Sequence, residues 1–278
     1  MENVFVYCAF LIGVYMSLLY VCSLVNKRND IADIGWGLGF CIVALLSLNF
    51  DFYVRGGLDW RGILVVLLVL IWGLRLAVHI FIRNSGKSED PRYAKWRMEW
   101  GKWFYIRSYL QVFLLQGLLL LAISVPVIFS TTYHNPIFPT VLDVIGLTIW
   151  IIGFLFEVVG DAQLAKFLKN PENKGKLMDR GLWSLTRHPN YFGEVTMWWG
   201  IWIISVAAGA PWWSIIGPLT ITILITKVSG IPMTEARYAG NTAYDEYKKN
   251  VSALVPLHYG KKLFGSYKKY YQNNKNTY

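Results

Sequence analysis

Apolar runs of about 20 residues recur along this 278-residue chain, and a run of that length matches the roughly 30 Å hydrocarbon core of a bilayer. Seven are read, at about 4–25, 34–50, 62–82, 108–129, 141–160, 191–209 and 212–231. Only 16% of the residues are charged and 55% are hydrophobic, whereas a soluble domain carries about 25% charged residues. The pattern predicts an all-α, polytopic transmembrane bundle of about seven spans. Met1-Glu2-Asn3-Val4 has no basic stretch ahead of the first run, so that run is expected to be retained. One transmembrane domain over residues 1–260 and a polar, basic tail over 261–278 are expected.

A formal net charge of +10 could suggest nucleic acid, but its placement excludes that class. Of 27 Lys and Arg, 23 fall in the segments 26–33, 83–107 and 161–190 and in the tail from 232, while the alternate loops hold Arg55 and Arg61 alone. Cytoplasmic loops are enriched in Lys and Arg, so the expected topology is N-terminus out and C-terminus cytosolic, with membrane lipids as partners. Cys8, Cys22 and Cys41 show no disulfide or metal spacing and read as small packing residues. The four His are scattered, and no metal site is expected. No Gly-x-Gly-x-x-Gly follows a strand, so a Rossmann cofactor site is not supported.

Ionisable residues inside a bilayer cost roughly 2.5–3.5 kcal/mol each on insertion scales, so each needs a reason. Arg75 lies in the third run, Glu157 and Asp161 close the fifth, and Glu194 enters the sixth, all toward the expected cytosolic side. Glu157 and Asp161 are four apart, as are Asn190 and Glu194, so each pair shares a helix face. Pro189 suits a first helical turn. Arg187 and His188 then stand at the helix mouth, where free N–H groups favour anions. Two readings fit: polar clamps between helices, or a pocket at the cytosolic mouth. The basic, Trp- and Tyr-rich loop 83–107 and the Lys-rich loop 161–190 fit either phosphate recognition or a solvated positive belt. Glu235, Arg237, Tyr238, Tyr244 and Tyr247 form either an interfacial amphipathic helix or a cover over that pocket.

The stretch GLWSLTRHPNYFGEVTMWWG (181–200) resembles the signature of the steroid 5-alpha-reductase and sterol-reductase superfamily, as do FEVVGDAQLAKF (156–167) and the tail pattern Glu235…Tyr244-x-x-Tyr247…Pro256. NDIADIGWGLGF (29–40), LRLAVHIFIRNSGKSEDPRY (74–93) and VSGIP (228–232) resemble the branch of that superfamily long labelled a domain of unknown function. The resemblance implies a membrane reductase that uses NADPH to reduce a carbon-carbon double bond in a lipid or steroid-like substrate. It implies that Asp161, Asn190 and Glu194 contact the cofactor, together with Arg187, His188 and Tyr191 of the same motif and Arg75 near a basic position of the third span. Glu235, Arg237, Tyr244 and Tyr247 match the segment covering the cofactor. Glu157 stands where the steroid enzymes tend to carry an amide, and their enone-activating Tyr and Glu have no clear match, with Trp72 near the expected place of the Tyr. Isoprenylcysteine and phospholipid methyltransferases share the Arg-His-Pro-x-Tyr-x-Gly core at 187–193, so a methyltransferase using S-adenosylmethionine is the alternative, followed by a non-catalytic lipid binder or transporter.

Hydride transfer needs an acid to polarise the acceptor or protonate the adjacent carbon. Tyr191 and Asp33 are the candidates for that catalytic role, although Asp30 and Asp33 serve equally well as caps of the second helix. The expected membrane is the endoplasmic reticulum in a eukaryote and the inner membrane in a bacterium.

Overall fold

Each apolar run becomes helix because a chain in hydrocarbon must satisfy its backbone polar groups internally. The computed structural model describes residues 2–57 and 59–257; the tail read at 261–278 lies outside them. The long helices are α1 (Glu2–Asn26), α2 (Ile31–Arg55), α3 (Trp60–Asn84) and α8 (Val141–Lys169). Between α3 and α8 the chain forms α4 (Pro91–Trp100), α5 (Phe104–Arg107), a π-helical stretch Ser108–Leu114, α6 (Leu115–Ile123) and α7 (Val125–Thr132). Then follow α9 (Pro189–Ala208), α10 (Ile216–Ile223), a second π-helical stretch Leu224–Val228, α11 (Ile231–Ala236) and α12 (Thr242–Asn250). Among the described residues the β-structure is a single bridge between Thr186 and Ser252.

Six of these helical stretches are long and apolar enough to cross a membrane: Asn3–Asn26, Ile31–Arg55, Trp60–Asn84, Pro91–Ile123, Val141–Lys169 and Trp212–Ala236. The sixth run read from the sequence does form a helix, α9, but is not one of the six. Its first turns carry Asn190, Tyr191 and Glu194, and its apolar part carries Trp198, Trp199 and Trp202. The protein is an integral, multi-pass membrane protein.

Helix ends follow local chemistry. The Asp59 carboxylate accepts from the Arg61 and Gly62 amides and starts α3, and Asp90 ahead of Pro91 starts α4. Thr140 and Asp143 bond reciprocally at the start of α8, with Thr140 N donating to Asp143 Oδ2 at 2.7 Å and Asp143 N to Thr140 Oγ1 at 3.3 Å. That is a capping box, with Asp in the Glu position. α8 runs nine residues past the expected end at 160 because no breaker intervenes before Asn170-Pro171. Asp30 precedes α2 but makes no side-chain cap bond.

The chain divides into two compact units: residues up to Thr148 with Trp198–Thr220, and Ile149–Met197 with the described residues from Ile221 onward. In the first unit α2 and α3 touch backbone to backbone. A Cβ on Gly37 would stand 2.5 Å from Gly73 O, and one on Gly73 would stand 2.6 Å from Gly37 O. Without a hydrophobic force between helices in lipid, small residues that permit such approach set the packing. Beside that crossing Phe40, Trp72 and Trp198 form a buried aromatic cluster with centroids 4.8–5.4 Å apart, so Trp72 is a packing residue. At the N-terminal ends of α3 and α8, Arg61 and Asp143 form a fully buried bidentate pair at 2.8 and 2.9 Å. Arg61 also donates to the Asn135 and Ile137 carbonyls at 3.1 and 2.7 Å, which leaves its charge satisfied.

In the second unit the same device joins α8 to α9. A Cβ on Gly153 would lie 2.6 Å from Gly193 O, and one on Gly193 would lie 2.4 Å from Gly153 O. One heptad further along α8, Gly160 meets Pro189. These contacts fix which faces of α8 and α9 meet, and Glu157 and Asp161 lie within one or two turns of them.

Candidate active site

The stretch 181–200 is held before it does anything else. Gly181 has φ of 59°, open to glycine at little cost, and packs on the Gln163 amide. Gln163 Oε1 accepts from Leu182 N at 3.0 Å, and buried Trp183 donates from Nε1 to Gly160 O at 3.0 Å. Both bonds tie the loop to α8. Tyr247 of α12 donates its hydroxyl to Trp183 O. Arg187 N donates to Ser252 O at 2.9 Å, and Thr186 Oγ1 donates to Ala253 O at 3.1 Å. The loop is thus closed on one side by α8 and on the other by the segment after α12.

At its centre sits one carboxylate. Glu235 Oε1 accepts from Arg187 Nε at 2.9 Å and Nη2 at 2.8 Å, and lies 3.3 Å from His188 Nε2. Glu235 Oε2 stands 3.1 Å from Lys248 Nζ. The remaining Arg187 nitrogen, Nη1, donates to the carbonyls of Val251 and Lys248. Every guanidinium nitrogen of Arg187 is therefore engaged within the protein. Burial pushes the His188 imidazole below its ordinary range, with Glu235 opposing that shift and Arg187 adding to it. Burial, and then the Glu235 charge, pushes the Tyr244 phenol up.

One turn into α9 the character changes. Asn190 Nδ2 donates to Asp161 Oδ1 at 3.3 Å, and both side chains are half-buried. Glu157 is buried one turn back along α8, and Glu194 follows Asn190 by one turn of α9. The Tyr191 hydroxyl lies 3.2 Å from Thr234 Oγ1, and its ring stacks on His188 with centroids 5.4 Å apart. The second unit therefore brings together Asp161 with Asn190, and Arg187 and His188 with Glu235 and Tyr244. Arg237 is exposed at the end of α11. Tyr238 stacks on Tyr244, with centroids 4.4 Å apart.

Two candidates belong to the first unit. Arg75 is half-buried on α3. Asp33 accepts from Arg92 Nη2 and from the Tyr93 hydroxyl, each at 2.7 Å. Asp33 is thus held by an arginine and a tyrosine from α4, and the two candidate acids, Tyr191 and Asp33, lie in different units. Sequence reasoning missed Thr234, Lys248, Trp183 and Tyr93. Lys248 stands four residues after Tyr244, a spacing that signals a shared face; Thr234 gave no signal beyond its place beside Glu235.

Long apolar helices joined by polar segments define the class: a helical, multi-pass membrane protein. The chain belongs to the family described as a protein of unknown function (DUF1295), which matches residues 19–251. Among curated proteins it is 31% identical over 119 residues, 42% of this chain, to the steroid 5-alpha-reductase DET2 of Arabidopsis thaliana. It is 42% identical over 67 residues, 24% of this chain, to the probable O-methyltransferase ustE of Ustilaginoidea virens. It is 24% identical over 228 residues, 72% of this chain, to the uncharacterized protein C594.04c of Schizosaccharomyces pombe. These matches span 42%, 22% and 65% of the relatives' own lengths, in each case less than two thirds. No solved structure matches the chain.

Proposed function

We propose that this protein is a membrane-embedded NADPH-dependent reductase of a carbon-carbon double bond in a hydrophobic lipid or steroid-like substrate. The observation that carries the reading is the Asp161–Asn190 pair at 3.3 Å, set half-buried beside the buried Glu157 at the mouth of α8 and α9. The likeness to a steroid 5-alpha-reductase over 119 residues supports it.

The residues present fit a dinucleotide in a divided way. Carboxylates and an amide at the helix mouth offer the donors and acceptors that a carboxamide and ribose hydroxyls require, and Asp161, Asn190, Glu194 and Glu157 would hold them. Exposed Arg237 is the proposed phosphate partner within the second unit. Arg187, His188, Glu235, Tyr244 and Tyr247 shape the wall through their own bonds. NADPH, when bound, supplies the hydride. Tyr191 is the proposed acid: its phenol, oriented by Thr234 and by the His188 ring, holds a proton for the carbon next to the one reduced.

Residues 1–260 form the catalytic domain in this reading. α9 has 20 residues and spans about 30 Å at 1.5 Å per residue, long enough for a seventh crossing. A seventh crossing puts the termini on opposite sides, and the Lys and Arg excess of segments 26–33, 83–107, 161–190 and from 232 supports a cytosolic C-terminus, in the endoplasmic reticulum or a bacterial inner membrane. A second reading, an S-adenosylmethionine-dependent methyltransferase, draws on the likeness to a probable O-methyltransferase.

The test is a titration of purified protein with NADPH and with S-adenosylmethionine, followed by melting temperature. NADPH is expected to raise it, and Asp161→Ala and Asn190→Ala each to weaken that effect about tenfold, the loss of one good hydrogen bond to a charged group. A shift with S-adenosylmethionine alone establishes the second reading. No shift with either at millimolar concentration overturns both.

A further inference from the structure

In the first unit, the segment 83–107 sorts its charges by direction. Two of its three acids, Glu89 and Asp90, face inward and are matched, as are Asp30 and Asp33 beside them at the start of α2. Glu89 accepts from Arg97 at 3.0 and 3.2 Å, Asp90 accepts from Arg92 at 3.0 Å, and Asp33 accepts from Arg92 at 2.7 Å. Asp30 is held by Arg28 at 2.8 Å and also accepts from Asp90 N. Arg92 and Arg97 are thereby turned toward the protein, and Arg97 further packs its guanidinium 4.1 Å over the Phe104 ring.

What remains outside is mostly positive. Lys87, Lys102 and Arg107 are exposed, and no acid among the described residues pairs with them. Glu99 is the outward acid of the segment, and Lys95 stands 3.6 Å from it. The same exposed stretch carries Met98, Trp103, Tyr105 and Ile106, which are 79%, 54%, 60% and 56% exposed. Trp96 and Trp100 stack behind them, with centroids 5.3 Å apart. α4 is the polar end of the fourth apolar stretch, and the helix is interrupted at Gly101, whose φ of 48° and ψ of −123° leave helical geometry.

Cations with aromatic and aliphatic side chains among them, outside a break at the polar end of a span, match one surface. Apolar groups enter the acyl boundary and the ammonium and guanidinium groups stay at the phosphates. We infer that the outward face of residues 95–107 seats on an anionic phospholipid leaflet, with Lys102 and Arg107 on headgroup phosphates. Zwitterionic lipid offers the same apolar boundary without the net negative charge, so the preference for anionic lipid is the part that the unmatched cations determine.

The experiment places the full-length protein in nanodiscs of equal phosphatidylcholine and phosphatidylglycerol and counts the retained lipids by native mass spectrometry. The protein is expected to retain phosphatidylglycerol preferentially. Lys102→Gln and Arg107→Gln should each lower that preference about fivefold, the effect of one surface cation near a charged leaflet. Lys174→Gln, an exposed lysine of the second unit, should leave it unchanged. Equal retention of the two lipids overturns the inference, and so does an equal loss in Lys174→Gln, which would mark a diffuse positive belt. A second measurement needs no variant: amide exchange over 95–107 should slow when phosphatidylglycerol joins phosphatidylcholine, and high salt should remove the difference. Identical exchange in both lipids also overturns it.

Discussion

Replacing Glu235 with Gln removes one charge while keeping the shape of the side chain. Glu235 meets two cationic side chains and an imidazole, through bonds of 2.9 and 2.8 Å to Arg187, 3.1 Å to Lys248 and 3.3 Å to His188. The Lys248 arm is 44% exposed, so it contributes little after screening. The Arg187 arm is different, because that guanidinium is 9% exposed on its side chain and water cannot replace the lost carboxylate. Bonds to charged groups contribute about 1.5–3 kcal/mol each. The Gln carbonyl still accepts one Arg187 bond, while its amide turns a donor toward Lys248. The net cost is about 2–3 kcal/mol, or about 30- to 150-fold in local opening at 1.36 kcal/mol per decade. Amide exchange over residues 242–253 reads this directly, because Glu235 anchors α11 to the loop and Arg187 anchors the segment after α12. Glu235→Gln should raise exchange there by that factor while the α2–α3 pair keeps its protection. Adding Arg187→Gln to Glu235→Gln should cost less than the sum of the two single changes, since they share one interaction, and the rest is the loss of the Arg187 bonds to the Val251 and Lys248 carbonyls. Exchange within threefold of the wild type, in a protein that otherwise remains folded, would refute the view that this carboxylate fastens the segment.

Gly153→Ala places a methyl 2.6 Å from Gly193 O and 2.7 Å from Met197 N, an overpacking of about 1–3 kcal/mol; melting should fall by several degrees, while Gly13→Ala, with nothing within 4 Å, should not move it. Arg61→Leu strands the buried Asp143 carboxylate and should destabilise by about 3–5 kcal/mol, with part recovered in Arg61→Leu/Asp143→Leu; denaturant or thermal unfolding in detergent measures both. The third concerns pH. His188 is held below its ordinary 6.5 by burial, against the pull of Glu235. A depressed histidine stabilises the fold above its unfolded value, and that stability is lost as pH falls through the folded one. Exchange over 183–188 should therefore rise, beyond the intrinsic pH effect, as pH falls below about 6.5, and His188→Gln should flatten the rise.

Helix positions were legible because hydrocarbon permits few alternatives, so apolar length alone placed α1 and α3 within two residues of their observed limits, while α2 and α8 run on past theirs into polar sequence. The number of crossings was less so. α9 is read as a span from its position and length, yet Asn190, Tyr191, Glu194 and three Trp set its composition apart from the six strongly apolar stretches. Four-residue spacing put Glu157 with Asp161, and Asn190 with Glu194, on shared faces, while the contact of Asp161 with Asn190 between two helices is visible in the structure alone. What spacing cannot convey is which partner a charge takes across the fold. Arg61 read as an ordinary loop cation, although Asp143, at the third position of another helix, is its partner. Gly146, Gly153 and Gly160 recur every seven residues on α8, a signal present in the sequence that names the face packed against α9 in retrospect.

The motif at 187–194 divides between holding and acting, and helical geometry explains the division. Arg187 and His188 precede the first turn, so their side chains reach sideways to Glu235 on α11. Asn190 and Glu194 lie one turn apart on a single face, and Asn190 meets Asp161 of α8. Tyr191, about 100° further round the helix, meets Thr234 instead. A relative could keep Arg187, His188 and Gly193 to retain the fold while losing every group able to act on a substrate. Matching the motif is consequently weak evidence of catalysis unless Asp161, Asn190 and Tyr191 accompany it, and this chain has all three. The distinction is measurable in one pair of variants: Arg187→Gln should loosen the 242–253 segment, whereas Asn190→Ala should leave its exchange unchanged and alter ligand response alone. If Asn190→Ala also frees that segment, the motif is a single structural clasp and the separation of roles fails.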